Sequence, residues 1–248
     1  MDAPRPVAGP PARRARRPRV DRPHLDRDTI VRAALEILDE GGIDALSMRS
    51  LGRHLGYEAM ALYRHVDGRE DILEAVVDHL LSTIELPPTT GSWEDYLHGF
   101  AEEMRALARR HPQAFPLVAT THPAAPWLCP PVRSLALVDR FFTDLHELGW
   151  GRESSVEAYQ AFASFLLGFL LMETARAGVG TAPPDVPIDE GGDHDPAGRD
   201  RDLDVTAYPL LVELRPLLEG DRCEEEFRAG LEALLDRLRP LFGDHHPA

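Results

Sequence analysis

A chain of 248 residues with 43% hydrophobic content holds enough apolar material for a core, which excludes a wholly disordered chain and leaves room for one large domain or two modest ones. Its net charge of −15 is unevenly spread: residues 1–70 hold 13 Arg against 11 acids (+2), and residues 71–248 hold 14 Arg against 31 acids (−17), so only the N-terminal end suits a polyanion. Two distant cysteines, Cys129 and Cys223, exclude a disulfide framework or zinc site and fit a reduced cytoplasm.

Every fixed cation is an arginine, a side chain suited to bidentate phosphate or guanine contacts. The longest apolar run, Phe165 to Met172, is far shorter than the roughly 20 residues of a membrane span, and neither secretion nor membrane insertion is expected.

Residues 1–24 are rich in proline and arginine, Arg13, Arg14, Arg16, Arg17, Arg19 and Arg22 among them, and read as a disordered arm: either a solvated tail or a source of phosphate and minor-groove contacts. From Asp26, a candidate N-cap, Ile30, Ala33, Ala34, Ile37 and Leu38 share one helical face, and Gly41-Gly42 is a candidate stop. Ser47 can cap a short second helix with Met48, Leu51 and Leu55 on its apolar side. Gly56 then permits a turn into a third helix, Glu58 to His65, so residues 25–70 read as helix, helix, turn, helix. A fourth helix, beginning near Arg69, connects through residues 71–86. Its stripe is Ile72, Leu73, Val76, Val77, Leu80, Leu81 and Ile84, and Pro87-Pro88 end it.

The remainder, residues 92–242, is again helical: Trp93 to His111, a proline-interrupted piece at Phe115 to Val118, Val132 to Leu148, Ser154 to Ala177, and two helices from Thr206 and Glu224. Residues 178–204, rich in Gly, Pro and Asp, read as a disordered loop. No segment alternates as a strand, so the expected class is all-α.

In a helix-turn-helix the second helix lies in the major groove with its N-terminal residues at base edges. In the run from Glu58 to His65, Leu62 faces inward together with Val66, leaving Ala59, Met60, Ala61, Tyr63 and Arg64 for a groove. The runs IVRAALEILDEGG, LSMRSLGRHLG and ALYRHVDGREDIL resemble, in order and spacing, the N-terminal domain of the tetracycline-repressor (TetR) family. Leu62, Tyr63, His65 and Val66 occupy its Leu-Tyr-x-His-[Val/Phe] motif. Trp93-Glu-Asp-Tyr96 and the apolar helix near residue 165 are similar to the family's ligand domain.

This resemblance implies a three-helix DNA-binding domain followed by a larger helical ligand-binding and dimerisation domain, acting as a homodimer on a palindromic double-stranded operator that it leaves when a small-molecule effector binds. It places phosphate contacts on Ser47, Arg49, Tyr63, His65 and Arg69, and base reading on Ala59, Met60, Ala61 and Arg64, with Met48 and Glu58 alongside. The family's tetracycline-binding members carry polar readers where this chain has Ala59, Met60 and Ala61, so a different operator is expected. The available readout is apolar contact with thymine methyls plus Arg64 or Arg49 to guanine.

In those members the drug arrives with magnesium and meets His and Glu side chains. The aligned positions here are Val118 and Met172, so no metal or other cofactor is expected. The candidate lining is Phe100, Met104, Phe115, Trp127, Phe142, Phe165, Phe169 and Met172, with His111, His122 and Glu173 as polar candidates, which suits a large apolar or aromatic effector. Aromatic and Met residues at helical spacing are equally the makings of plain core. The segment Ala158 to Ala175, apolar on nearly every face, joins Leu231, Leu234, Leu235 and Leu238 as candidates for an intersubunit four-helix bundle.

No GxSxG, P-loop, HExxH or dinucleotide loop is present, so no enzyme is expected. The expected function is a ligand-responsive transcriptional regulator, a repressor by the family's habit. The alternative is a helical protein-binding or enzyme-like module whose hairpin packs on a protein partner, and its binding would lack the steep salt dependence of DNA binding.

Overall fold

The structure, a computed structural model, describes residues 24–176, 205–220 and 222–243. The arm before His24, the 178–204 stretch and the last five residues lie outside the described residues. Those described are helical, with no strand among them.

Helix α1 (Arg27–Ala45) begins where the Asp26 carboxylate accepts the Thr29 N–H at 2.8 Å, and it buries Ile30, Ala33, Ala34, Ile37 and Leu38. Gly42 interrupts it at φ 69°, where the stop was expected, but one further turn runs on to Ala45. Helix α2 (Met48–Leu55) opens with a reciprocal cap: the Ser50 N–H donates to Ser47 Oγ at 3.0 Å and the Ser47 N–H to Ser50 Oγ at 2.9 Å. Gly56, left-handed at φ 74°, ends α2 as the sequence predicts.

Helix α3 (Ala59–Leu62) is shorter than the predicted run to His65. The Arg64 and His65 N–H groups bond three residues back, to the carbonyls of Ala61 and Leu62, so the last turn tightens. Helices α4 (Arg69–Leu81), α5 (Trp93–Arg110), α6 (Leu135–Glu147), α7 (Arg152–Arg176), α8 (Pro209–Leu218) and α9 (Cys223–Gly243) complete the described set, with a 3-10 turn at Phe115–Leu117.

α1 packs on α2 and α4, and α2 packs on α3. α7 is central to the rest, touching α5, α6, α9 and the 3-10 turn. One continuous apolar core joins these elements. By length and composition α7 would suit a membrane span, but Tyr159, Phe162, Leu166 and Leu170 are buried among neighbouring helices, which accounts for its apolar character.

Leu231, Leu234, Leu235 and Leu238 are buried within the protomer against this core, so they are not surface available to a second copy. The apolar residues that α7 leaves exposed are Val156 and Met172, and α8 exposes Leu210, Leu211, Val212, Leu214, Leu217 and Leu218.

Candidate nucleic-acid interface and ligand cavity

α3 is anchored by Leu62, its one buried side chain, with Val66 buried just beyond. That anchoring leaves Met60 75% exposed and puts Tyr63, Arg64 and His65 at the surface, with Glu58 exposed and Ala59 and Ala61 half-buried. Ser47 and Arg49 are exposed at the start of α2, and Met48 is half-buried against the core. The Ser47 hydroxyl is engaged as the cap of α2, so it has a structural role whatever else it touches.

Arg69 is placed differently from the expectation of a phosphate contact. Its Nε and Nη2 donate to the carbonyls of Leu46 and Ile43, both at 3.1 Å, and clamp the α1–α2 corner to the first turn of α4. Asp71, two residues on, accepts from Arg27 of α1 at 2.8 Å, and this hydrogen bond outweighs partial burial to hold its carboxyl below the usual range. Sequence reasoning passed over Gly52. It is buried on α2, and a Cβ there would meet the Tyr57 carbonyl at 2.8 Å, so the α2–α3 turn approaches this helix too closely for a side chain.

Between α5, α6 and α7 lies a cavity of about 30 Å³, walled by Phe100, Met104, Val118, Val132, Leu137, Val138, Phe141, Tyr159, Phe162, Ala163, Leu166 and Leu167. Its one lining residue with a polar side-chain group is Tyr159, whose hydroxyl donates to the Pro130 carbonyl at 2.7 Å. Burial pushes this phenol up to about 12, so it stays neutral.

Of the expected lining, Phe100 and Met104 border this cavity. Phe115 is fully buried in the core, and Phe142 packs on the Tyr159 ring, 5.3 Å between centroids. Phe165, Phe169, Met172 and Glu173 line a separate outer groove of about 350 Å³ between α7 and α9. His111 pairs with Asp39 at 2.8 Å and His122 with Glu74 at 3.2 Å, while Trp127 is 78% exposed. Glu173 is committed to Arg105 and Arg109. Val118 borders the inner cavity and Met172 the outer groove. Among the described residues no group of three His, Cys, Asp or Glu side chains could hold a metal ion.

Periodicity could not have chosen the inward side of α7, because a helix apolar all round has no preferred face. The stripe Phe165, Phe169, Met172 and the true cavity stripe Phe162, Ala163, Leu166 are equally apolar in sequence.

Residues 30–76 match the model of bacterial regulatory proteins of the tetR family, and residues 87–241 match the tetracyclin repressor-like C-terminal domain. The tetracycline repressor protein class D of Escherichia coli is 28% identical over 214 residues, 85% of this chain and 88% of that protein. An HTH-type transcriptional regulator of Saccharopolyspora erythraea is 33% identical over 154 residues, 62% of this chain and 63% of that regulator, so the chain spans just under two thirds of its length. The crystal structure of ActR from Streptomyces coelicolor in complex with actinorhodin superposes with a TM-score of 0.65 at 26% identity, covering 90% of this chain and 100% of that one. With both halves matched in order and a helix-turn-helix in place, the chain belongs to the TetR family and is a DNA-binding transcriptional regulator.

Proposed function

We propose that the protein is a cytoplasmic, homodimeric repressor that leaves a near-palindromic operator when an apolar, polycyclic aromatic molecule opens the cavity between α5, α6 and α7, without an obligatory metal. The observation that carries this reading is the cavity wall, whose side chains are apolar except for a neutral, already bonded tyrosine. Such a wall holds aromatic surface and offers no ligand for a cation. The complex of the related ActR with actinorhodin, a structure 26% identical to this chain, supports the same class of effector.

At about 30 Å³ the cavity is far smaller than the roughly 300–1,000 Å³ of a drug-sized site. An effector must therefore part its walls, and it shifts the protein only as far as it prefers the parted state. Titrating actinorhodin into the protein–operator complex is expected to lower operator affinity between about fivefold and 150-fold, the range of a typical allosteric coupling, equally with and without EDTA. Release that needs magnesium, or no release by any of a panel of polycyclic aromatics, would contradict the proposal.

On the DNA side, Tyr63 and Arg64 are assigned different work. A phosphate contact positions without reading sequence, whereas a guanidinium at a base edge specifies. Arg64→Ala is expected to relax base preference at one position per half-site, at a cost of about 1–3 kcal/mol. Tyr63→Phe should weaken binding to all sites about equally. Binding selection on both variants checks this, and the opposite pattern would reverse the two roles.

A further inference from the structure

We infer that Arg133 is the positioning residue through which the state of the cavity reaches the DNA-binding helices, an inference that rests on the effector reading above. The backbone of Arg133 lies behind the cavity wall and is tied to it at two points. Val132 and Val118 both line the cavity, and the Arg133 N–H donates to the Val118 carbonyl at 2.9 Å, so these two walls move with it. Its side chain reaches α4, where Nη2 donates to Glu70 Oε2 at 2.8 Å, while Nη1 donates to Thr120 Oγ1 at 3.3 Å, two residues beyond Val118. Nε is buried with no hydrogen-bond partner among the described residues. An unmet buried donor carries a desolvation cost, so the present seat of the guanidinium does not satisfy all that the side chain offers.

Glu70 is the second residue of α4, and both its neighbours grip the DNA-binding helices. Arg69 holds the carbonyls of Ile43 and Leu46, immediately before the Ser47 cap of α2, and Asp71 holds Arg27 of α1. One turn thus joins the α1–α2 corner, α1 and the cavity wall. Two further ties to α4, His122 to Glu74 at 3.2 Å and Ser134 to Asp78 at 3.1 Å, fall one and two turns further along it, and His111 at the end of α5 pairs with Asp39 of α1, away from the cavity lining. Arg133, bonded to the wall but outside the cavity lining, is therefore the residue that acts on the turn holding α2. Of the lining residues, Val118 and Val132 are the two whose displacement by a larger occupant would carry the guanidinium off Glu70.

A mutant cycle that needs no effector tests this. Val132→Phe overfills the cavity from its own wall, and it is expected to lower operator affinity by at least about fivefold in the Arg133 protein but by less than about twofold in an Arg133→Met background. Actinorhodin, followed by tryptophan fluorescence, should bind Arg133→Met as tightly as the parent while no longer releasing DNA, a split that a merely structural loss would not produce. Glu70→Gln should behave like Arg133→Met and keeps the cycle decidable if the latter does not fold. Equal losses in both backgrounds, or full release of DNA from Arg133→Met, would overturn the inference. If actinorhodin fails to bind the parent protein, the effector reading falls while the Val132→Phe cycle still decides Arg133.

Discussion

Arg105→Ala is expected to lower the thermal midpoint by roughly 6–20 °C, from a loss of about 3–5 kcal/mol for breaking a buried ion pair at about 2–4 °C per kcal/mol in a chain of this size. Arg105 is 1% exposed on α5. Its Nε and Nη2 donate to Glu173 of α7 at 3.0 and 3.1 Å, its Nη1 donates to Glu224 of α9 at 2.9 Å, and its guanidinium lies 4.2 Å from the Phe227 ring centre. One side chain thus pins three helices, and its removal leaves Glu173 largely buried with Arg109 alone. Arg105→Lys should recover only part of the loss, because a single ammonium cannot span two carboxylates as the guanidinium fork does.

The same network sets an acid limit. Burial acts to raise the Glu173 carboxyl, but the hydrogen bonds from Arg105 and Arg109 outweigh it and hold the group below its ordinary 4.5. A group lowered on folding contributes stability that is present above the unfolded value and is lost as pH falls through the folded one. The parent protein should therefore lose part of its stability below 4.5, and Arg105→Ala should lose less of it over the same range. Melting curves at neutral pH and across this acid range check both statements. An Ala variant melting within about 2 °C of the parent, less than 1 kcal/mol of lost stability, would remove the network from the account.

Leu62→Ala should cost about 2–5 kcal/mol, the range for truncating a buried leucine, and nearly all of its effect should fall on DNA binding. α3 spans four residues and Leu62 is its one buried side chain, so the reading turn has no second anchor of its own. Operator affinity is expected to drop by at least about a hundredfold, because two factors of ten correspond to about 2.8 kcal/mol. Actinorhodin binding in the cavity should be unchanged. Met60→Ala is the contrast: at 75% exposure, the truncation should alter base preference and leave stability within about 0.5 kcal/mol. Amide hydrogen exchange should show faster opening in residues 47–66 of Leu62→Ala and none in α5 to α7. Uniform loosening would mean that the two halves are not separable in this way.

Most helices were legible because their signals are local: Asp26 and Ser47 cap helices through their own side chains and Gly56 ends one in a left-handed conformation, whereas the Ser134 cap, which the sequence reading did not use, starts α6 at Leu135 rather than the expected Val132. What the sequence hid depends on contacts distant in the chain. Arg69 sits where the family resemblance suggests a phosphate contact, but its partners are carbonyls more than 20 residues away. Charged residues are ordinarily solvated, so nothing local marked Arg105, Arg133 or Asp144 as buried. Asp144 is nonetheless held by Arg140 at 2.6 Å and by the Tyr96 hydroxyl at 2.7 Å. The cavity was half legible: Phe100 and Met104 lie on a helix with a clear polar face, whereas α7 is apolar all round and concealed which of its stripes turns inward.

Selection of bound fragments from random duplex DNA, followed by titration of the recovered site in rising salt, addresses the central claim most directly. A regulator of this build should enrich a near-palindrome whose half-sites lie about 34–36 Å apart. Its log affinity should fall linearly with log salt by about 0.9 per phosphate neutralised. No enriched sequence, or binding indifferent to salt, would contradict it.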